Sequence, residues 1–485
     1  MPKNSTTLVS SGHGELISEL RTIVGELSVI EDPAVMQAYC VDWTRRFGGP
    51  AVCVVRPGST QEVAAVMQAC AAVGVPVLPQ GGNTGLVGGS VPAAGPSADG
   101  KPDDGESGER GEPGEPSAPP VIVSTRRLAW IDPVDELSAQ VSVGAGSTLG
   151  DVQRHARAAG LEYGVDLASR DSATIGGTVA TNAGGIRVLA YGMTRLQVTG
   201  IEAVLPDGSV ISHMSGLAKD NTGFDLAQLL CGSEGALAII TAVRLRLHRP
   251  HGRTSVALIG CADYDDALTV IGSAASGRLV AAEVIDATGM RLVRDVSGLP
   301  YPLEQQHSLF ALIEVADGGS GDGFVADVLE ARDVVVAMDA SGIERLWQYR
   351  ERQAEGFDAW GIVHKLDVSV PLETLAACAR ELQTVIADFP KVKEFGIFGH
   401  LADGNIHVEI LGPPAEERDV DTAVLECISR YGGSISAEHG IGRMKVDHLD
   451  LSRSAEEIAV MRAIKKAWDP QGLMNPGVLL PVSGE

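Results

Sequence analysis

A chain of 485 residues exceeds the size at which single hydrophobic cores stop growing, so two domains or more are expected. Its formal charge of -25 argues against a nucleic-acid surface, which needs clustered Lys and Arg, and against electrostatic attachment to an anionic membrane. No apolar run approaches the roughly 20 residues of a membrane span. The start, Met1-Pro2-Lys3-Asn4-Ser5, lacks the basic-then-apolar order of a signal peptide, and seven cysteines (Cys40, Cys53, Cys70, Cys231, Cys261, Cys378, Cys427) show no paired spacing. Reduced, mostly buried thiols in a cytoplasm are the expectation.

In chain order, helix-like apolar spacing covers residues 14–31, and Asp42-Trp43-Thr44-Arg45-Arg46 leads into a short buried strand over 51–55. Ser59 and Glu62 form a capping-box pattern that opens a helix through about Val73, and 75–78 read as the next strand. This βαβ unit delivers the chain to Pro79-Gln80-Gly81-Gly82-Asn83-Thr84-Gly85-Leu86-Val87-Gly88-Gly89-Ser90, where so many glycines bare backbone N–H groups that the loop suits a diphosphate. Residues 93–120 then turn to Gly, Pro, Ser, Asp and Glu, a composition unable to bury a core, and read as a disordered surface insertion.

Strands are expected at 121–123 and 138–143, and a helix at 149–159. A second small-residue cluster, Ile175-Gly176-Gly177-Thr178-Val179-Ala180-Thr181-Asn182-Ala183-Gly184-Gly185, and a third, Cys231-Gly232-Ser233-Glu234-Gly235-Ala236-Leu237-Ala238-Ile239-Ile240, give further sites of close backbone approach. One extended ligand can thread all three clusters. Between the last two, Pro206-Asp207-Gly208 turns a hairpin. The strand over 238–247 ends in alternating Val243, Arg244, Leu245, Arg246 and Leu247, and Pro250 closes the domain.

Beyond it, strands at 255–259, 309–315 and 395–398 alternate with helices at 265–275 and 372–386. Asp403-Gly404 is a two-residue hairpin signal, and a hairpin centred there sets His400 opposite His407, Cβ atoms roughly 4.5–5.5 Å apart. Such a pair either merely faces across the hairpin or shares a metal. Ser436-Ala437-Glu438-His439-Gly440 adds a carboxylate and a third imidazole, and two histidines with a carboxylate leave open positions on Zn²⁺, Mn²⁺ or Fe²⁺. Ser454 and Glu457 form another capping box, whose helix runs to Trp468 before Asp469-Pro470.

On these motifs, from about Asp42 to the C-terminus, the chain resembles the vanillyl-alcohol-oxidase-type flavoproteins, in the D-lactate, glycolate and D-2-hydroxyglutarate dehydrogenase branch. The resemblance implies an α+β fold: an N-terminal helical segment (1–41), a two-subdomain FAD-binding domain of the p-cresol-methylhydroxylase type (42–250), an α+β cap with an antiparallel sheet (251–453), and a C-terminal segment (454–485) returning to the FAD domain. It implies that FAD is held by Pro79, Gly81, Gly82, Asn83, Thr84, Gly85, Gly88, Gly89, Ser90, Ser172, Ile175, Gly176, Gly177, Ala180, Thr181, Asn182, Gly184, Gly185, Gly235, Ile239, Ile240 and Asn475. The FAD is expected to be non-covalent, since relatives that link the ring through this loop use a His where Asn83 stands.

By the same resemblance His400, His407 and Glu438 hold a divalent metal, Zn first and Mn or Fe next, His439 is the base, and Arg350 binds the substrate carboxylate. Lys365 is a second cation matching the hydroxyglutarate-type enzymes, whereas Ala354 and Glu409 depart from them, polar Thr and Asn standing there in those enzymes. The implied activity is oxidation of a D-2-hydroxy acid to the 2-oxo acid. The electron acceptor would be an electron-transfer flavoprotein, a quinone or a cytochrome, and the assembly a homodimer. A non-redox FAD transferase resembling alkylglycerone-phosphate synthase is the alternative, and a metallohydrolase whose glycine loops bind only phosphate a third. Neither glycine loop has the spacing of a dinucleotide-binding fingerprint, which disfavours NAD.

Overall fold

A computed structural model describes residues 6–94, 118–274, 278–316 and 332–482; the insertion expected at 93–120 falls almost wholly outside them. Three sheets organise the described residues. The first holds β1 (Val29–Ile30), β2 (Cys53–Val55), β3 (Val77–Gln80) and β4 (Val121–Ser124) in the order β1-β2-β4-β3, with β2, β4 and β3 parallel. Parallel neighbours need a crossover, and helix Thr60–Val73 supplies it, capped by Ser59 as its sequence foretells and ended by Gly74 in the left-handed region.

The helix expected over 14–31 ends sooner, at Val24. Gly25, at φ 86°, breaks it, and the β-branched pair Val29-Ile30 becomes an edge strand on β2.

The second sheet is antiparallel: β5 (Gln140–Gly144), β6 (Val198–Val204), β7 (Val210–His213) and β8 (Ile239–Arg246), in the order β5-β8-β6-β7. Along β8, Val243 and Leu245 are buried while Arg244 and Arg246 are not, the one-dry, one-wet alternation expected of it.

The third sheet comprises β9 (Thr254–Cys261), β10 (Arg278–Asp286), β11 (Leu309–Ala316), β12 (Val334–Ala337), β13 (Val363–Ser369), β14 (Glu394–His400) and β15 (Asn405–Leu411). Its order is β12-β9-β11-β10-β14-β15-β13, antiparallel throughout. Side chains alternate across a strand, so its two faces differ in chemistry. Leu366, Val368, Ile397, Ile406, Val408 and Ile410 enter the largest apolar cluster, with helices Tyr264–Ala274, Leu372–Ala387 and Asp419–Arg430. Lys365, Asp367, Phe398, His400, His407 and Glu409 alternate with them and so point the other way.

The capping box at Ser454 and Glu457 is present, and the segment after its helix runs back along β3, where Val77 donates to Leu473 O and Asn475 donates to Val77 O. The C-terminal return therefore closes on the first sheet.

Candidate active site

A cavity of about 1030 Å³ lies between the polar face of the third sheet and the glycine-rich loops of the first two. That volume sits at the upper end for ligand pockets, as a dinucleotide requires. Of the residues expected to hold FAD, Pro79, Gly81, Gly82, Asn83, Thr84, Gly85, Gly89, Ser90, Ser172, Gly176, Gly177, Ala180, Thr181, Gly184, Gly185, Gly235, Ile239 and Ile240 line it. The glycines keep the wall thin: a Cβ on Gly82 would lie 2.1 Å from Ser172 O, and one on Gly81 would lie 2.2 Å from Thr174 Oγ1.

Four residues are placed elsewhere. Gly88 packs under the Phe47 ring, and Ile175 is fully buried in the core of the second sheet. Asn182, at φ 48°, accepts from Arg195 N. Asn475 donates to Gly89 O and Glu234 O, tying the C-terminal segment to the loops.

The other end of the cavity brings together His400, His407, Glu438, His439, Arg350 and Lys365, which come from β14, β15, the 436–440 loop, helix Ala340–Glu351 and β13. The hairpin register differs from the one expected: His407 pairs with Phe398, and His400 pairs with Glu283 of β10. Leu401–Asp403 forms a 3-10 turn before Gly404 at φ 79°, so the connection is longer than a two-residue turn. Phe398 and His400 share a face, so the two imidazoles still meet, ring centroids 5.4 Å apart.

Glu438 ties the cluster to the FAD-binding half. Its Oε2 accepts from Gly185 N, and a Cβ on Gly184 would lie 2.7 Å from that oxygen. Its Oε1 lies 3.8 Å from Nε2 of each of His400, His407 and His439. Donors on a tetrahedral ion with 2.1 Å bonds stand about 3.4 Å apart, so this spacing suits a cation. The opposite edges of the rings face carboxylates: His400 Nδ1 is 2.8 Å from Glu283, His407 Nδ1 is 3.7 Å from Asp367, and His439 Nδ1 is 4.0 Å from Asp367. Carboxylate on one nitrogen and free lone pair on the other is how metal-binding imidazoles are oriented.

Asp367, His407, Glu438 and His439 also bring ligand atoms within 4.8 Å of one another. We favour the set meeting at Glu438 Oε1, because Asp367 lies on the Nδ1 side of the His407 and His439 rings, away from the Nε2 atoms that meet there. Its Oδ2 accepts from the Glu438 and His439 backbone N–H groups, and its Oδ1 has no hydrogen-bond partner among the described residues.

The electrostatics follow from burial and these pairings. Burial opposes charge on His400, yet Glu283 and Glu438 push its pKa up to about 10. Burial, aided by repulsion from Arg350, pushes His407 down to about 3. Burial also opposes charge on Glu438, but the His400 ring 3.8 Å away and the other imidazoles hold its carboxyl well below the usual range. A cation bound here would displace the His400 proton, so its affinity is coupled to pH. Arg350 is buried, spends Nε on Glu283 at 2.6 Å and lies over the Phe398 ring; a guanidinium has four further N–H donors.

Three acidic residues that the sequence did not single out are central. Glu283 bridges Arg350 and His400; Asp367 faces the Nδ1 edges of two imidazoles; Glu234, from the FAD-binding half, accepts from Ile441 N and Gly442 N. Gly440 must be glycine there, since at φ 85° a Cβ would lie 2.8 Å from Glu234 Oε1. Alternation along His364-Lys365-Leu366-Asp367 marks Asp367 as a face-mate of Lys365, but the partners of Glu283 and Glu234 lie far along the chain.

Comparison with known proteins agrees with this architecture. Residues 251–479 match the family model for the C-terminal domain of FAD linked oxidases, and residues 51–96 and 107–213 match the FAD binding domain. The mitochondrial D-2-hydroxyglutarate dehydrogenase of Bos taurus is 35% identical over 93% of this chain and 81% of that protein. Among solved structures, p-cresol methylhydroxylase superposes with a TM-score of 0.73 at 14% identity, covering 98% of both chains. An alkyldihydroxyacetonephosphate synthase superposes at 0.70 and 17% identity, covering 96% of this chain and 84% of that one. At such identities these two likenesses show the fold alone. Among the described residues no helix is long and apolar enough to cross a membrane.

Proposed function

The chain belongs to the FAD-linked dehydrogenases of D-2-hydroxy acids, and from that membership we propose that the cluster around Glu438 performs the oxidation. The carrying observation is Glu438 itself, with one oxygen on the glycine segment of the FAD-binding half and the other equidistant from three imidazoles. When bound, the flavin supplies an acceptor at N5 for the hydride from the α-carbon, and a divalent cation polarises the substrate's carboxylate and hydroxyl.

The residues of the chain do the rest. His400, His407 and Glu438 supply the cation ligands through Nε2, Nε2 and Oε1. Arg350, fixed by Glu283, binds the α-carboxylate. His439 takes the hydroxyl proton at Nε2, with Asp367 behind its ring. It is the most open of the three imidazoles, its side chain 24% exposed against 7% for His400 and 11% for His407, so it is the one that can meet substrate and pass a proton to water.

Arg350→Ala is expected to lower kcat/KM for every 2-hydroxy acid by about 10- to 100-fold, the scale of one charged hydrogen bond. Arg350→Lys keeps a partner for Glu283 and separates lost substrate binding from a stranded buried acid. Wild-type kcat/KM in both variants would remove Arg350 from substrate binding.

A further inference from the structure

Two residues beyond His407 on β15, and so about 7 Å further along the cavity wall, stands Glu409. It is only 4% exposed, it lines the cavity, and its Oε2 has no hydrogen-bond partner among the described residues. Across the ladder from it is Lys365, whose Nζ lies 2.8 Å from Asp358 Oδ1 and 3.9 Å from Glu409 Oε1. A 2-hydroxy acid held by its first two carbons at the imidazole cluster would send its tail to this place. Asp358 and Glu409 already share that ammonium, and burial pushes the Glu409 carboxyl up to about 7, so the place is short of positive charge and a second substrate carboxylate would burden it further. The flanking Ala354 and Ala359 offer no donor from their side chains.

Resting on the dehydrogenase reading, we infer that the tail of the preferred substrate carries a hydroxyl group in place of a second carboxylate, with Glu409 as its recognition residue. A hydroxyl both donates and accepts. It can donate to the unpartnered Glu409 Oε2 and accept from Lys365 Nζ, which answers both groups at once, whereas a methyl satisfies neither and a carboxylate opposes one.

The test measures second-order rate constants for anaerobic flavin reduction in the FAD-loaded protein with D-lactate, D-2-hydroxyglutarate and D-2,4-dihydroxybutanoate. Wild type should react at least about tenfold faster with the dihydroxy acid than with the dicarboxylate, the scale of one charged hydrogen bond. Glu409→Gln should raise the hydroxyglutarate-to-lactate ratio by a similar factor. Asp358→Asn, at a half-exposed position, frees Lys365 by another route and should move the ratio in the same direction should the buried variant not fold. Wild type favouring D-2-hydroxyglutarate, or a ratio unchanged or lowered in the variants, would overturn the tail assignment while leaving the dehydrogenase reading intact. Flavin reduced by none of the acids would overturn both.

Discussion

His439→Ala is expected to retain both FAD and metal yet reduce its flavin more slowly by on the order of 10²–10⁴, the usual contribution of a general base. In energy this is about 3–5 kcal/mol of barrier. The size follows from position: His439 has the most open of the three imidazoles converging on Glu438 Oε1, and its other edge faces Asp367. The measurement is stopped-flow bleaching of the flavin, with metal content and the flavin spectrum taken on the same preparation. Metal-replete His439→Ala bleaching at the wild-type rate would remove the residue from proton transfer.

Glu438→Gln is expected to lose metal while keeping FAD. Loss of the charged oxygen that all three Nε2 atoms face should cost most of the bound metal, and with it activity that excess metal partly restores. The amide still carries an oxygen that can accept from Gly185 N, so FAD content should hold. Elemental analysis after gel filtration, set beside the flavin-to-protein ratio, reads both. Full metal content in Glu438→Gln would exclude Glu438 as a ligand. The two adjacent residues thus have separable signatures: one loses rate with metal present, the other loses metal.

Much of this was legible in local sequence. Ser59 and Ser454 cap helices as their patterns state, Pro206-Asp207-Gly208 turns its hairpin, and the alternation over 243–247 belongs to a strand with one wet face. Each is set by neighbours within four residues. The register at Asp403-Gly404 was misread because Leu401–Asp403 close into a 3-10 turn, a choice fixed by packing of the buried Leu401 and not by the turn dipeptide. His400 and His407 come together all the same, since a shift of two residues preserves the face. Glu283 and Glu234 were invisible for a different reason. Their partners are 67 to 208 residues away, and one charged side chain in a strand or loop carries no sign of what will face it.

The central claim is that flavin and imidazole–carboxylate cluster act on one substrate in one cavity. It is tested most directly by mixing FAD-loaded protein anaerobically with a panel of D-2-hydroxy acids and their L enantiomers, following the yellow flavin band and the 2-oxo acid formed. The account predicts that at least one D acid bleaches the flavin, that one 2-oxo acid appears per flavin reduced, and that the matching L acid does neither. Flavin that stays yellow with every acid of the panel, in protein loaded with both FAD and divalent metal, would contradict it and return the chain to the non-redox reading of the same fold.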